Sequence, residues 1–379
     1  MRRSGLSSAL AVLATLLPAS AQQWTCKSGK CERVIYGSAP CGARMKVNAH
    51  GPVSVEAGTS RELTYTVRVT VNARTEAEAR RLFQNYAVRV DTQGAWTVLT
   101  APGGAIMTAV TVKCPKIAAA SITTSDGAVS ANGVDGSLDI DTGAGEVNVD
   151  RISGDSKLTT GGGDIKVGQV GGSLQCMTGA GRVMVTKVGG AAVLRTSGGD
   201  IVAKEAGANV HAETGGGGVH IGTAGGPVTA ISGGGEIVVE KAAGVVTLRN
   251  MAGPVNVGSA AGVRCDSGSG GVRLTNISGP IRVATSMGNV SATLHGSKLG
   301  ESFIATGNGD ITILIPSNVG VRIQAQNGMA DTLRRIISDY SGIQPRRQGT
   351  RIVADGAVNG GGPLLQISGM GGTIFIKKQ

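Results

Sequence analysis

Asp164, Arg182 and Asp200 recur at an interval of 18 residues, each directly after a glycine and directly before a Val or Ile. Two carboxylates flanking a cation are the equipment of glycoside cleavage, which needs paired acids on one face, or of a calcium site built from carboxylate oxygens. The stretch around the first of them, "TGGGDIKVG" from Thr160 to Gly168, also has the look of a glycine turn that cradles phosphate or calcium. The other reactive side chains are few. His211 and His220 fall on different predicted strands and face different sides, and His50 and His295 have no ligand company. No Gly-x-Ser-x-Gly elbow, nucleotide fingerprint or Cys–His arrangement occurs. Cys26, Cys31, Cys41 and Cys114 cluster in the N-terminal third. In an oxidising compartment they form disulfides, with three pairings open; zinc binding is the rival reading.

The interval of 18 belongs to a repeat, and the repeat decides what these residues are for. From Ala119 seven 18-residue units run without a gap to Gly244, and four more begin at Val245, Gly262, Pro280 and Glu301 with small changes in length. The ninth position is glycine in all eleven: Gly127, Gly145, Gly163, Gly181, Gly199, Gly217, Gly235, Gly253, Gly270, Gly288 and Gly309. The eleventh is always Val or Ile, the thirteenth is small or aliphatic, and the second and fourth are mostly aliphatic. Each unit therefore reads as strand, tight turn, strand, turn. The glycine is expected to supply a positive φ. One unit alone cannot bury its thin apolar face, whereas units stacked in register bury a continuous core.

The predicted fold class is all-β, a parallel β-helix or β-solenoid with about 18 residues per coil. A right-handed coil is expected because parallel crossovers are overwhelmingly right-handed. The hexapeptide type lacks its aliphatic every six positions, and the calcium-binding nonapeptide G-G-x-G-x-D is absent. Coils spaced like paired strands, about 4.8 Å apart, put Cys176 and Cys265 roughly 24 Å from each other, both at the fourth, inward position. They are expected to be buried thiols. The sixth column (Thr142, Thr160, Thr178, Thr196, Thr214, Ser232) predicts a hydroxyl ladder at the corner. The tenth column accepts Glu146, Asp164, Arg182, Asp200, Glu236 or Asp310. A binding loop would not tolerate that exchange, so Asp164, Arg182 and Asp200 read as an exposed charged ladder. No catalytic, cofactor-binding or metal-binding residue is assigned, and no cofactor is expected.

The ends differ from the repeat. Residues 1–21 carry two arginines, an apolar run and Ala19-Ser20-Ala21, the pattern of a secretory signal peptide. No later apolar run has transmembrane length. Residues 22–118 read as a small disulfide-bearing α+β or sandwich-like cap, with one helix near 75–86 started by a Thr75/Glu78 capping box. The solenoid proper is assigned to 119–320, a basic insert to 321–362 (helical spacing near 331–340), and closing solenoid strands to 363–379.

Net charge is +11, or about +9 once Arg2 and Arg3 leave with the leader. A basic exported chain can meet anionic envelope polysaccharide, lipid or another surface protein. Nucleic acid is not an expected partner, since no reading motif is present; oligomeric state is open. The motifs "TGGGDIKV", "TSGGDIV" and "TGNGDITILIP", with the closing "NGGGPLLQISGMGGTIFIKK", resemble the bacterial putative-adhesin β-strand-repeat family, a domain of unknown function, over roughly residues 45 to 379. The resemblance implies a cell-envelope or surface location and brings no catalytic residues. The expected function is thus a non-enzymatic, adhesin-like scaffold, exported to the periplasm, cell surface or medium of a bacterium. The alternatives are a polysaccharide-active β-helix enzyme and an envelope-stress or signalling accessory protein.

Overall fold

The structure is a computed structural model that describes residues 24–104, 106–115, 117–296, 299–328 and 335–379. The leader expected at 1–21 lies outside the described residues. The chain divides into two compact units, up to Gly162 and from Gly163. Both are built from one kind of coil, so the protein is an all-β parallel solenoid.

The coil from Ser173 shows the construction. Leu174, Cys176 and Thr178 point inward while Gln175 and Met177 are exposed. After the turn, Val183 and Val185 point inward again. Thr186 and Lys187 both face solvent, and the ladder skips one residue there before Val188 returns to the core. This third inward column, continuing through Ala206, Ala224, Ala242 and Ala260, was visible in the sequence as small aliphatics at the sixteenth position. Each strand pairs in parallel with its counterpart one coil on, as in Leu174↔Ala192 and Val183↔Ile201. In each unit the strands carrying the second, fourth and sixth columns form one sheet, here the threonine sheet. Those carrying the eleventh and thirteenth form the valine sheet. Fully burying each Val, Leu or Ile contributes about 1.5–3 kcal/mol, which a single coil could not collect without its neighbours.

The positive φ expected of the invariant glycine holds at Gly127, Gly253, Gly270, Gly288 and Gly309, where φ runs from 101° to 145°, but Gly145, Gly181, Gly199, Gly217 and Gly235 are not among the positive-φ residues. What the column shares is a backbone-to-backbone approach. A Cβ on Gly217 would lie 2.2 Å from the Gly199 carbonyl oxygen, and one on Gly199 would lie 2.2 Å from that of Gly181. Real Cβ atoms do not approach so closely, so the column stays glycine because the turns stack on one another.

In the first unit the solenoid begins earlier than residue 119. Arg44–Ala49 pairs in parallel with Ala119–Thr124, and Val53–Ala57 pairs in parallel with Val129–Asn132. Residues 44–57 are therefore a coil already. The Thr124 hydroxyl donates to the Gly51 carbonyl at 2.8 Å, the same bond that later coils make. A second coil, Trp96–Thr100 with Met107–Cys114, stacks on the far side of the first. The repeat spacing missed both because residues 58–95 are inserted between them and the first coil is short by one residue in its turn. The remainder of the expected cap adds antiparallel strands: Glu62–Asn72 pairs with Met107–Cys114 and with Lys30–Pro40 in the valine sheet, and Arg89–Gln93 pairs with Trp96–Thr100 in the threonine sheet. Reversed strand direction ends the parallel stack, and the helix Glu76–Gln84, capped by Thr75, adds Ala79 and Phe83 to the core. Such coverage removes a sheet edge that would otherwise invite pairing with another chain.

In the second unit, the segment read as an insert is itself part of the stack. Val321–Asn327 lies in the threonine sheet and Ile336–Ser338 in the valine sheet. In place of the helix expected near 331–340, the described residues form a strand: Ile336 is buried, Ile337 exposed, and both pair with Ile374–Lys378. Alternation against a waiting strand overrides the helical spacing; residues 329–334 lie outside the described residues. The last strands do not simply follow. Leu364–Gly369 fits between Ser302–Asn308 and Val321–Asn327. Arg351–Val358 and Arg346–Gln348 then close the outer edge in antiparallel fashion.

Candidate functional site

The charged ladder belongs to the turns. Asp164 accepts the backbone N–H of Arg182, one coil on, at 2.8 Å, and its other oxygen takes the Arg182 guanidinium at 2.9 Å. Asp200 accepts the Gly218 N–H at 2.8 Å, and Asp310 accepts that of Thr373 at 2.7 Å. The tenth column therefore supplies acceptors to N–H groups of the next turn. The Arg182 N–H first, and then its guanidinium, hold the Asp164 carboxyl below the usual carboxylate range. A general acid needs the opposite shift. His220 meets Glu240 at 2.9 Å and His211 meets Glu213 at 3.7 Å, on separate sheets. Among the described residues, no group of three or more His, Cys, Asp or Glu could hold a metal.

The sixth column forms the ladder expected of it, with a specific bonding pattern. The Thr196 hydroxyl donates to the Gly181 carbonyl at 2.8 Å and accepts the Gly199 N–H at 3.2 Å. Thr178, Thr214 and Ser232 repeat both bonds, and Asn250 substitutes an amide that donates to Gly235. Each hydroxyl thus ties its own turn to the turn beneath.

Of the four N-terminal cysteines, Cys26 and Cys31 form a disulfide across the hairpin of Trp24–Lys27 and Lys30–Pro40. Cys41 and Cys114 are free thiols. Burial, with Cys41 nearby, pushes the Cys114 thiol up to about 12. Cys176 and Cys265 are fully buried free thiols, five ladder steps apart through Leu194, Ala212, Ala230 and Leu248.

A groove of about 1310 Å³ runs along the outside of the threonine sheet. It crosses seven coils, from Met177 through Arg195, Glu213, Ile231, Arg249 and Asp266 to Ala284, which at strand spacing is roughly 29 Å. These residues are the fifth column. The floor alongside is made by small residues of the seventh column, Ser197, Gly215, Gly233, Gly268 and Ser286. Sequence reasoning treated those glycines only as turn residues. Their run at one position, beside bulkier fifth-column residues, was the available signal of a trench. Arg195 pairs with Glu213 at 3.3 Å inside it, while Met177 and Met251 stand exposed at 40% and 75%. Thioether side chains on an exposed surface adapt their shape to a partner, and the charged residues offer it fixed hydrogen-bonding points. The geometry suits an extended chain lying across the coils.

No protein-family model matches the chain, and no curated protein matches it at a significant level. Solved bacterial structures similar to it include the following three. A putative adhesin from Bacteroides fragilis shares 10% identity, with 91% of this chain and 97% of that one covered and a TM-score of 0.28. A putative cell adhesion protein from Clostridium sporogenes shares 11%, covering 92% and 100%, at a TM-score of 0.18. A putative adhesin from Parabacteroides merdae shares 10%, covering 74% and 95%, at 0.27. Among the described residues, no helix is long and apolar enough to cross a membrane.

Proposed function

We infer that the protein is an exported, non-enzymatic scaffold of the bacterial envelope or surface, adhesin-like, that binds a partner along the face of its solenoid. The observation that carries this reading is the groove over seven coils, lined by exposed methionines and by charged fifth-column residues. The leader-like residues 1–21, the Cys26–Cys31 disulfide and the names given to the three similar structures support export and adhesion. An enzymatic reading would need carboxylates free to exchange protons, whereas Asp164 and Asp200 are engaged by the turns. No particular observation favours a signalling accessory. Partners consistent with the basic chain are anionic polysaccharide, lipid or a surface protein. The test is retention of purified protein on whole cells and envelope fractions at low salt. Binding is expected, with several-fold loss in a Met177→Glu, Met251→Glu double variant; no retention on either material overturns the reading.

A further inference from the structure

The outward face of the threonine sheet changes character at its C-terminal edge. Here the third column runs Arg282, Phe303, Gln366, Gln324 and Asp355 on successive strands. The fifth column beside it runs Ser368, Gln326, Val353 and Arg346. Between the two columns is a cavity of about 270 Å³ with Phe303 at its apolar end. The Arg282 guanidinium lies over the Phe303 ring at 5.9 Å. Gln366 donates to the Gln324 carbonyl oxygen at 3.4 Å, Gln326 donates to the Ser368 hydroxyl at 3.3 Å, and Arg351 donates to the Gln326 carbonyl oxygen at 3.3 Å. Arg346 is paired with Asp355.

Two features of this lining define a ligand. First, it presents acceptors as well as donors: an amide oxygen carries two lone pairs and its nitrogen two hydrogens, so one bond each leaves capacity on both. Acceptors call for a ligand that donates, which hydroxyl groups do and a bare sulfate does not. Second, the surroundings are cationic. Arg282, Arg322 and Arg351 share this outward face and pair with no carboxylate among the described residues, while the one aspartate is already neutralised by Arg346. Guanidinium groups match carboxylates bidentately. The cavity is near the lower end of small-molecule sites, large enough for a single ring. All of these side chains stand on paired strands, so little ordering is required on binding.

The geometry points to a subsite for an acidic sugar unit, a hydroxylated ring bearing a carboxylate, lined by Phe303, Gln324 and Gln366, with Arg351 beside the cavity, bonded to its lining residue Gln326, to meet the carboxylate. It rests on the binding-scaffold reading above and names a ligand class for it, at a place separate from the long groove. The test is calorimetric titration of the whole protein with a galacturonate tetramer, a neutral galactose tetramer and sodium sulfate. The acidic tetramer is expected to bind at least tenfold more tightly than the neutral one. Gln324→Ala and Arg351→Gln should each weaken it about tenfold while leaving the melting temperature unchanged. Equal binding of both tetramers, competition by sulfate at equal concentration, or indifference to both variants overturns the assignment. Envelope retention that persists without tetramer binding overturns this site alone and leaves the adhesin-like reading standing.

Discussion

Thr214→Val isolates the bond pattern on which the stack depends. The side chain is buried, and its hydroxyl donates to the Gly199 carbonyl at 2.8 Å while accepting the Gly217 N–H at 3.1 Å. Valine keeps the branched shape and removes both bonds. Each buried group left without a partner costs about 1–3 kcal/mol, and the added methyl returns about 0.8 kcal/mol of apolar burial. The net loss is therefore about 1–5 kcal/mol. For a unit of this size, 1 kcal/mol moves the melting temperature by about 2–4 °C, so a drop of roughly 2–20 °C is expected by circular dichroism. Because stacked repeats open locally, hydrogen exchange at the Gly217 amide should accelerate more than at coils further along. Thr214→Ser keeps the hydroxyl and loses one methyl, so its loss should stay near 1 kcal/mol. A Val variant that melts within a degree of the unmodified protein, or a Ser variant that melts lower than the Val variant, would refute the reasoning.

Two further outcomes follow from the same coils. Gly217→Ala places a Cβ 2.2 Å from the Gly199 carbonyl oxygen and 2.8 Å from the Asp200 nitrogen, all backbone, whereas a Cβ on Gly198 meets nothing within 4 Å. The first variant should lose about 1–3 kcal/mol and the second should be neutral or slightly stabilised, read as paired thermal melts; equal melts would contradict a steric origin for the column. The buried thiols should be silent. Burial pushes Cys114 and Cys265 up to about 12 and moves Cys176 upward as well, and the thiolate is the form that reacts. At pH 8 iodoacetamide should label Cys41 first, and the other three only on unfolding, as followed by mass spectrometry. Since the folded thiols hold their protons more tightly than unfolded ones, their contribution is full below the ordinary thiol value of 9.0 and is lost as pH climbs toward 12. Native labelling of Cys176 or Cys265 at the rate of Cys41 would contradict the burial.

Much of the fold was legible because a solenoid writes its geometry as a period. Val183 and Val185, or Leu174 and Cys176, alternate with exposed neighbours, and the alternation returns every 18 residues with the pairing step. The sixth-column hydroxyls were legible for the same reason. The ends were not. "MKVNAHGPVSVEA" has no second copy at the right distance, so nothing in one dimension reveals that Arg44–Ala49 stacks beside Ala119–Thr124. The Ile336–Ile337 pair carries a helical spacing that gives way once Ile374–Lys378 offers a partner strand. The charged ladder could be seen in the sequence, but its bonding to the N–H groups of the next turn could not. Whether Asp164 serves chemistry or a turn depends on which atom of Arg182 lies at 2.8 Å.

The sequence by itself determined the coil: its length, its two sheets, the inward columns and the hydroxyl corner, because each is a local pattern repeated until chance is excluded. Only the tertiary structure decided why the ninth position is glycine even where its φ is not positive, as at Gly199 and Gly217, since the obstructing atom belongs to another coil. It also decided that the seventh-column glycines floor a groove, and that Phe303 meets Gln366, Gln324 and Arg346 around one cavity although they are separated by up to 63 residues of chain. Contacts within a coil are fixed by neighbours in sequence. Contacts between coils depend on which strands come to lie side by side, and in each unit the chain visits some of its coils out of order.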